Sequence, residues 1–185
     1  MSLLIAKNKV SFDELAAVAI PEKTESFTPI GHAYLADQMR SAITRAGYQI
    51  KEEEHALARM GQRYFGGFSI TGSDIAASDR NLVVGLRNAH DKSFAASVCI
   101  GNRMIVCENL CFSSDIKLAR RHTLNILNDI PRVLAEAVGR LVSHFNDMQA
   151  RIDTYKTYEL TEDAAAGLIV QLADAKALPA REVYP

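Results

Sequence analysis

The sequence contains no tryptophan, five prolines and three cysteines. Cys99, Cys107 and Cys111 are odd in number and form no CxxC pair, so a disulfide framework is not expected. Reduced thiols in a cytoplasmic setting are the better reading. No apolar run approaches membrane-spanning length, and the opening MSLLIAKNKV lacks the apolar core and cleavage pattern of a signal peptide. No membrane contact is expected. There is no Walker loop, GxSxG, HExxH or dinucleotide fingerprint, which sets aside the common enzyme classes that carry them. No cofactor and no metal site is expected. Low-complexity tracts and internal repeats are also absent. With 21 Lys and Arg against 22 Asp and Glu, the formal net charge is −1. That balance does not indicate a strongly basic nucleic-acid binder, and it leaves room for a local basic patch.

What is present suits a folded α+β protein. The chain has 185 residues, of which 48% are hydrophobic and 23% charged. It is long enough to bury a core without metal or disulfide staples. Residues 3–10 read as a short strand. Ser11 and Glu14 have capping-box spacing for a short helix from Phe12, ended by Pro21. Thr28-Pro29 reads as a helix start, Gly47 as its C′ residue. Tyr34, Leu35, Met39, Ala42, Ile43 and Ala46 form its apolar stripe, with His32, Asp37, Arg40 and Arg45 on solvated faces.

Residues 48–59 lean to a charged edge strand. Residues 62–71 (QRYFGGFSIT) read as an aromatic strand whose Gly66-Gly67 pair marks a bulge or a close backbone approach. Residues 81–89 form a strand with Leu82, Val84 and Leu86 on one face and Val83, Gly85 and Arg87 on the other. His90-Asp91-Lys92-Ser93 is a turn, and residues 94–100 are the next strand. Gly101-Asn102 carries a two-residue hairpin signal, with residues 103–109 returning. In that register Ile100 faces Arg103, Val98 faces Ile105, Ala96 faces Cys107, and Phe94 faces Asn109. Asn109 then lies beside the turn. Both faces of this sheet are fairly apolar, which suggests cover on both sides.

Residues 113–123 read as a further strand or a strand-to-helix transition. They hold the densest basic cluster, Lys117, Arg120, Arg121 and His122. Asn128 or Asp129 then caps a helix over residues 130–155, roughly 40 Å long, with Pro131 in its first turn. Its stripe runs Ile130, Leu134, Ala137, Leu141, Phe145 (or His144), Met148, Ile152 and Tyr155, a heptad-like pattern that asks for a partner helix in this chain or in a second copy. Thr161 caps a last helix with Leu168, Ile169 and Leu172 inward. The expected architecture is therefore a mainly antiparallel sheet of five or six strands over residues 1–125, flanked by helices. A C-terminal helical hairpin over residues 126–185 packs on it, within a single structural domain.

The stretch LRNAHDKSFAASVCIGNRMIVCENL resembles a phage- and plasmid-related family, domain of unknown function 932. The family pattern is an Arg-Asn-x-His-Asp turn, a strand, then Arg-x-x-Cys-x-Asn. Here the matching residues are Arg87, Asn88, His90 and Asp91, then Arg103, Cys107 and Asn109. One more residue separates Arg103 from Cys107 than in that pattern, and Lys92-Ser93 stands where Gly and Ser are common. The resemblance is carried by residues 60–125. It implies a mobile-element origin and no particular reaction. Family members commonly continue past the last residue here, so the chain reads as a shortened form of a longer architecture.

Three functional readings stay open. In the first, the protein is a non-enzymatic module that binds DNA or RNA, or a partner that processes them. Arg87, Asn88, Arg103, Lys117, Arg120 and Arg121 would make the contacts. Tyr64, Phe65 and Phe68 would stack bases, or simply fill the core. In the second, the protein is an enzyme with His90 as acid or base, and Asp91 and Asn109 beside it. Against both stands a plain turn, in which Asn88 and Asp91 bond their own backbone and His90 supports the loop. In the third, a homo-oligomer assembles through residues 130–155. Cys107 reads as a core thiol, and its strand spacing to Cys111 is wrong for a shared zinc.

Overall fold

The computed structural model describes residues 8–72, 82–101 and 116–175. The chain divides into two compact units, Met1–Phe145 and Asn146–Pro185. In chain order the elements are β1 (Lys9–Val10), α1 (Phe12–Ala16), α2 (His32–Arg45), β2 (Gln49–Ala58) and β3 (Arg63–Thr71). There follow β4 (Leu82–Ala89), β5 (Ala96–Gly101), β6 (Ile116–Arg120), α3 (Ile126–Thr157) and α4 (Glu162–Asp174). The six strands form one antiparallel sheet in the order β1-β2-β3-β4-β5-β6. Each strand thus pairs with its neighbour in sequence. The fold is α+β, as expected. Among the described residues, no helix is long and apolar enough to cross a membrane.

One sheet face carries the core. Tyr64, Phe68 and Ile70 of β3, Leu82, Val84 and Leu86 of β4, and Ala96, Val98 and Ile100 of β5 alternate onto it. Leu35, Met39 and Ile43 of α2 pack there with Ile130, Leu134, Ala137 and Leu141 of α3. The opposite face is buried too, at Phe65, Ser69, Val83, Ser97 and Cys99. That agrees with a sheet covered on both sides.

Several local expectations hold for the stated reasons. Ser11 and Glu14 make the reciprocal capping box of α1. Gly47 follows α2 with a φ of +84°, a conformation that L side chains rarely adopt. The Gly66-Gly67 pair marks a close approach rather than a bulge. A Cβ on Gly66 would collide with the Tyr64 hydroxyl, and the only β2–β3 register shift lies between Ile50 and Glu52.

Other expectations are corrected. Helix α2 begins at His32, capped by Gly31, and not at Thr28-Pro29. Tertiary bonds hold residues 28–30 outside the helix: the Thr28 N–H donates to the His122 carbonyl, and the Ile30 carbonyl accepts from two side chains described below. The buried stripe of α2 is His32, Leu35, Ala36, Met39 and Ile43, so His32 is in the core and not on a solvated face. Strand β5 does not take the expected Gly101-Asn102 hairpin register. Its two edges are occupied by β4 and by β6, with Ile100 opposite Ile116 and Ala96 opposite Arg120. Residues 103–109 themselves lie outside the described residues.

Helix α3 starts at Ile126, before the expected Asn128 or Asp129 cap: the Asp129 N–H already donates to the Asn125 carbonyl, and its carboxylate pairs with Arg120. Pro131 has no N–H for the Leu127 carbonyl one turn back; the Tyr34 hydroxyl donates to that oxygen at 3.3 Å instead. In the second unit, Thr161 caps α4 as expected, through the Ala164 N–H. Leu168 and Ile169, expected inward, are 46% and 43% exposed. The cap and the alanine-rich sequence support that helix locally, and none of its residues is buried.

Candidate functional site

Period-two alternation along β4 sends Leu82, Val84 and Leu86 into the core, and Asn88 follows them inward. Asn88 is fully buried and becomes the hub of a polar cluster. Its Nδ2 donates to the Ile30 carbonyl and to His32 Nδ1, each at 2.9 Å. Its Oδ1 accepts from His122 Nε2 at 2.7 Å. His32 Nε2 donates to the Gly61 carbonyl at 2.9 Å, and His90 Nε2 donates to the Ile30 carbonyl at 2.8 Å. The His32 and His90 rings stack with centroids 3.9 Å apart. Four chain segments are tied together by one asparagine and three histidines.

The protons in this cluster follow from two main-chain oxygens. A carbonyl only accepts, so the atoms facing Gly61 O and Ile30 O must be donors. His32 is therefore Nε2–H with a lone pair on Nδ1, which takes an Asn88 N–H. Asn88 must then turn Oδ1 toward His122, making His122 the Nε2–H tautomer as well. All three rings are neutral. Burial and the proximity of His90 hold His32 down to about 4, and the same causes hold His122 down to about 4. Burial also lowers His90, against its bond to Ile30 O and nearby Asp91. His90 Nδ1 is buried and has no hydrogen-bond partner among the described residues.

The cluster backs onto an open cleft of about 430 Å³. Phe27, Lys92, Phe94, Arg121 and His122 line it, with Ser26, Ala95 and Thr123. Three segments far apart in sequence meet here, residues 26–27, the turn after β4 and the residues after β6. Asp91 shapes the turn by accepting from the Ser93 N–H and hydroxyl, and Arg63 Nε binds its other oxygen at 2.6 Å. Lys92 takes the left-handed position at φ +62°. Its ammonium lies 5.0 Å from the Phe27 ring centroid, and the Phe27 and His122 rings are 5.0 Å apart. Arg87 lies 4.9 Å from the Phe94 centroid. Lys92 and Arg121 are exposed, and neither has a carboxylate partner among the described residues.

A second histidine network lies on the other side of Tyr64. The Tyr64 hydroxyl donates to His55 Nδ1 at 3.0 Å, and His55 Nε2 donates to Glu53 at 2.9 Å. Arg40 Nε holds both Glu53 oxygens. Burial pushes the Glu53 carboxyl up, but the bonds from His55 and Arg40 outweigh it and keep it below the usual range. The network borders a smaller cavity of about 290 Å³.

The residues singled out from the sequence are distributed unevenly. His90 and Asp91 diverge, His90 toward the interior and Asp91 toward Arg63 and Ser93. Asn88 does not bond its own backbone, and at 0% exposure it touches no outside partner. Arg87 bridges Ser97 and the Phe94 ring. Arg120 is paired with Asp129. Arg121 lines the cleft. Asn109 and Arg103, and the Lys117 side chain, lie outside the described residues. Sequence reasoning missed His32, Phe27, and the pairing of His122 with Asn88. For His32 a signal existed: it precedes Leu35, Ala36, Met39 and Ile43 at helical spacing.

Fold and site together define a six-stranded α+β protein with a neutral buried histidine cluster behind a cationic, aromatic cleft. The chain belongs to the family domain of unknown function 932 (DUF932), whose family model matches residues 22–182. That span includes every residue of the cleft and of the Asn88 cluster. No curated protein and no solved structure matches the chain.

Proposed function

We propose that the chain is a non-enzymatic module that binds single-stranded nucleic acid in the Lys92–Arg121 cleft. The supporting observation is the composition of that cleft: two phenylalanine rings and two cations without a carboxylate partner among the described residues, around one concave space. A base freed from its helix stacks on aromatic faces, while Lys and Arg hold the phosphates on either side. Arg87, beneath Phe94, supports the ring that would stack. The cleft volume is in the range of a small-ligand pocket, enough for a planar ring and not for a duplex. A cytoplasmic, phage- or plasmid-related setting belongs to the same proposal.

The enzymatic reading around His90, Asp91 and Asn109 gains no support from the diverging His90 and Asp91 side chains. The oligomer reading keeps one observation, the exposed apolar residues Tyr155, Tyr158, Leu160, Leu168, Ile169 and Val170. The first half of the long stripe, Ile130 to Leu141, is already packed in its own core. A monomeric solution mass at working concentration removes that reading.

Binding of single- and double-stranded oligonucleotides across a salt series tests the main proposal. Single strands are expected to bind more tightly, with affinity falling as salt rises. Lys92→Ala with Arg121→Ala should weaken binding about tenfold or more at low salt and flatten the salt slope by about 1.4, from two lost phosphate contacts. Absence of binding at low salt, or binding indifferent to both substitutions, sinks it.

A further inference from the structure

The buried cluster does more than support the cleft: it sets the hydrogen-bonding character of the histidine that lines it. Gly61 O and Ile30 O orient His32 and Asn88, Asn88 Oδ1 takes the His122 Nε2–H, and the remaining lone pair of His122 sits on Nδ1. His122 is at once the end of that chain and part of the cleft lining. We infer that His122 offers the cleft a fixed hydrogen-bond acceptor, that Asn88 is the positioning residue that fixes it, and that the preferred occupant is a planar ring with an N–H donor on its edge, joined to phosphate held by Lys92 and Arg121. This rests on the nucleic-acid reading of the same cleft.

A histidine with a free choice of tautomer accepts or donates as the ligand requires. His122 lacks that freedom. Moving its proton to Nδ1 would leave Nε2 and Asn88 Oδ1 as two acceptors 2.7 Å apart. Adding a second proton is opposed by burial, which holds this ring to about 4. A phosphate oxygen at Nδ1 would meet a lone pair, so the anion belongs at the Lys92 and Arg121 rim and the base edge at His122. The cleft thus separates the two halves of a nucleotide by chemistry.

Three oligonucleotides of equal length and charge test the inference in the intact chain: oligothymidylate, its N3-methylated form, and an abasic form. Thymine has one N–H, at N3, so methylation removes the donor and keeps the ring. Oligothymidylate is expected to bind about three- to tenfold more tightly than the methylated form, the worth of one net hydrogen bond. In His122→Phe the ring remains and the difference should vanish; a persisting difference would be steric and would overturn the inference. Asn88→Ser should shrink the ratio between oligothymidylate and its methylated form, whereas a merely structural loss would weaken both alike and leave that ratio unchanged. Imidazole 15N NMR of the unsubstituted protein needs no variant and should show His122 Nδ1 unprotonated; a protonated Nδ1 overturns the assignment. If all three oligonucleotides bind equally, the nucleic-acid reading survives and the His122 inference falls. If none binds, both fall.

Discussion

Two histidine networks flank the ring of Tyr64, and they are built on opposite principles. The Asn88 cluster is neutral and anchored on main-chain carbonyls of segments remote in sequence. The His55 network is ionic, anchored on Glu53 and Arg40, and local to the pairing of β2 with β3, where His55 lies opposite Gly66. Charge can be kept in the second because Glu53 and Arg40 both retain some contact with solvent. In the first, burial is too complete to hold an imidazolium, and the geometry assigns every proton instead. A neutral network leaves the field in the adjoining cleft to Lys92 and Arg121, whereas an ionic one would compete with it.

The largest expected break in this comparison is Asn88→Ala. It leaves His32 Nδ1 and the His122 Nε2–H buried and unpaired, so a loss of about 3–5 kcal/mol is expected in urea unfolding. A loss below about 1 kcal/mol would mean that the hub is not structural.

Acid should separate the two networks next. His32 and His122 have folded values near 4 against an ordinary 6.5, so the unfolded chain takes up protons first as pH falls. Their contribution is full above pH 6.5 and is lost between 6.5 and about 4, at most ~3 kcal/mol for His32. Glu53 is depressed below 4.5, so its contribution is lost only below that pH. Unfolding free energies measured at half-unit steps from pH 7.5 to 4 should show the first loss well above pH 5. A flat profile down to 4.5 contradicts the neutral cluster.

A smaller effect sharpens the picture at Tyr64. Gly66→Ala should cost about 1–3 kcal/mol, because the new methyl meets a rigid, fully buried phenol. Tyr64→Phe should cost about 1 kcal/mol by leaving His55 Nδ1 unpaired. The double variant should cost less than the two losses added together, since the deleted hydroxyl is the atom in conflict. Strict additivity in the cycle would deny that contact.

Most elements were legible because local signals suffice for them. Alternation marked β3 and β4, the Ser11 and Glu14 spacing marked α1, and Gly47 and Thr161 marked helix ends. Boundaries failed where tertiary partners claimed groups at the expected helix starts. Ile30 O was taken by Asn88 and His90, and Asp129 by Arg120, so neither helix begins where its best local cap stands. The Gly101-Asn102 signal failed for a related reason: a hairpin preference is local, while the edge of β5 was won by β6. The cleft was half visible. The RNAHDKS turn and the basic run were both singled out, but as separate features, and nothing local says that they share one space.

From the sequence alone came the α+β class, most of the order of strands and helices, the shared face of Leu82, Val84 and Leu86, and the family. These rest on short-range periodicity and on motif residues, which need no partner to be read. Only the tertiary structure decided that Asn88 continues that face into a hub, that His32 and His122 close on it, and that Lys92 and Arg121 face one cleft. Those outcomes depend on which distant carbonyls can accept a proton, and on which rings are buried too deeply to hold one.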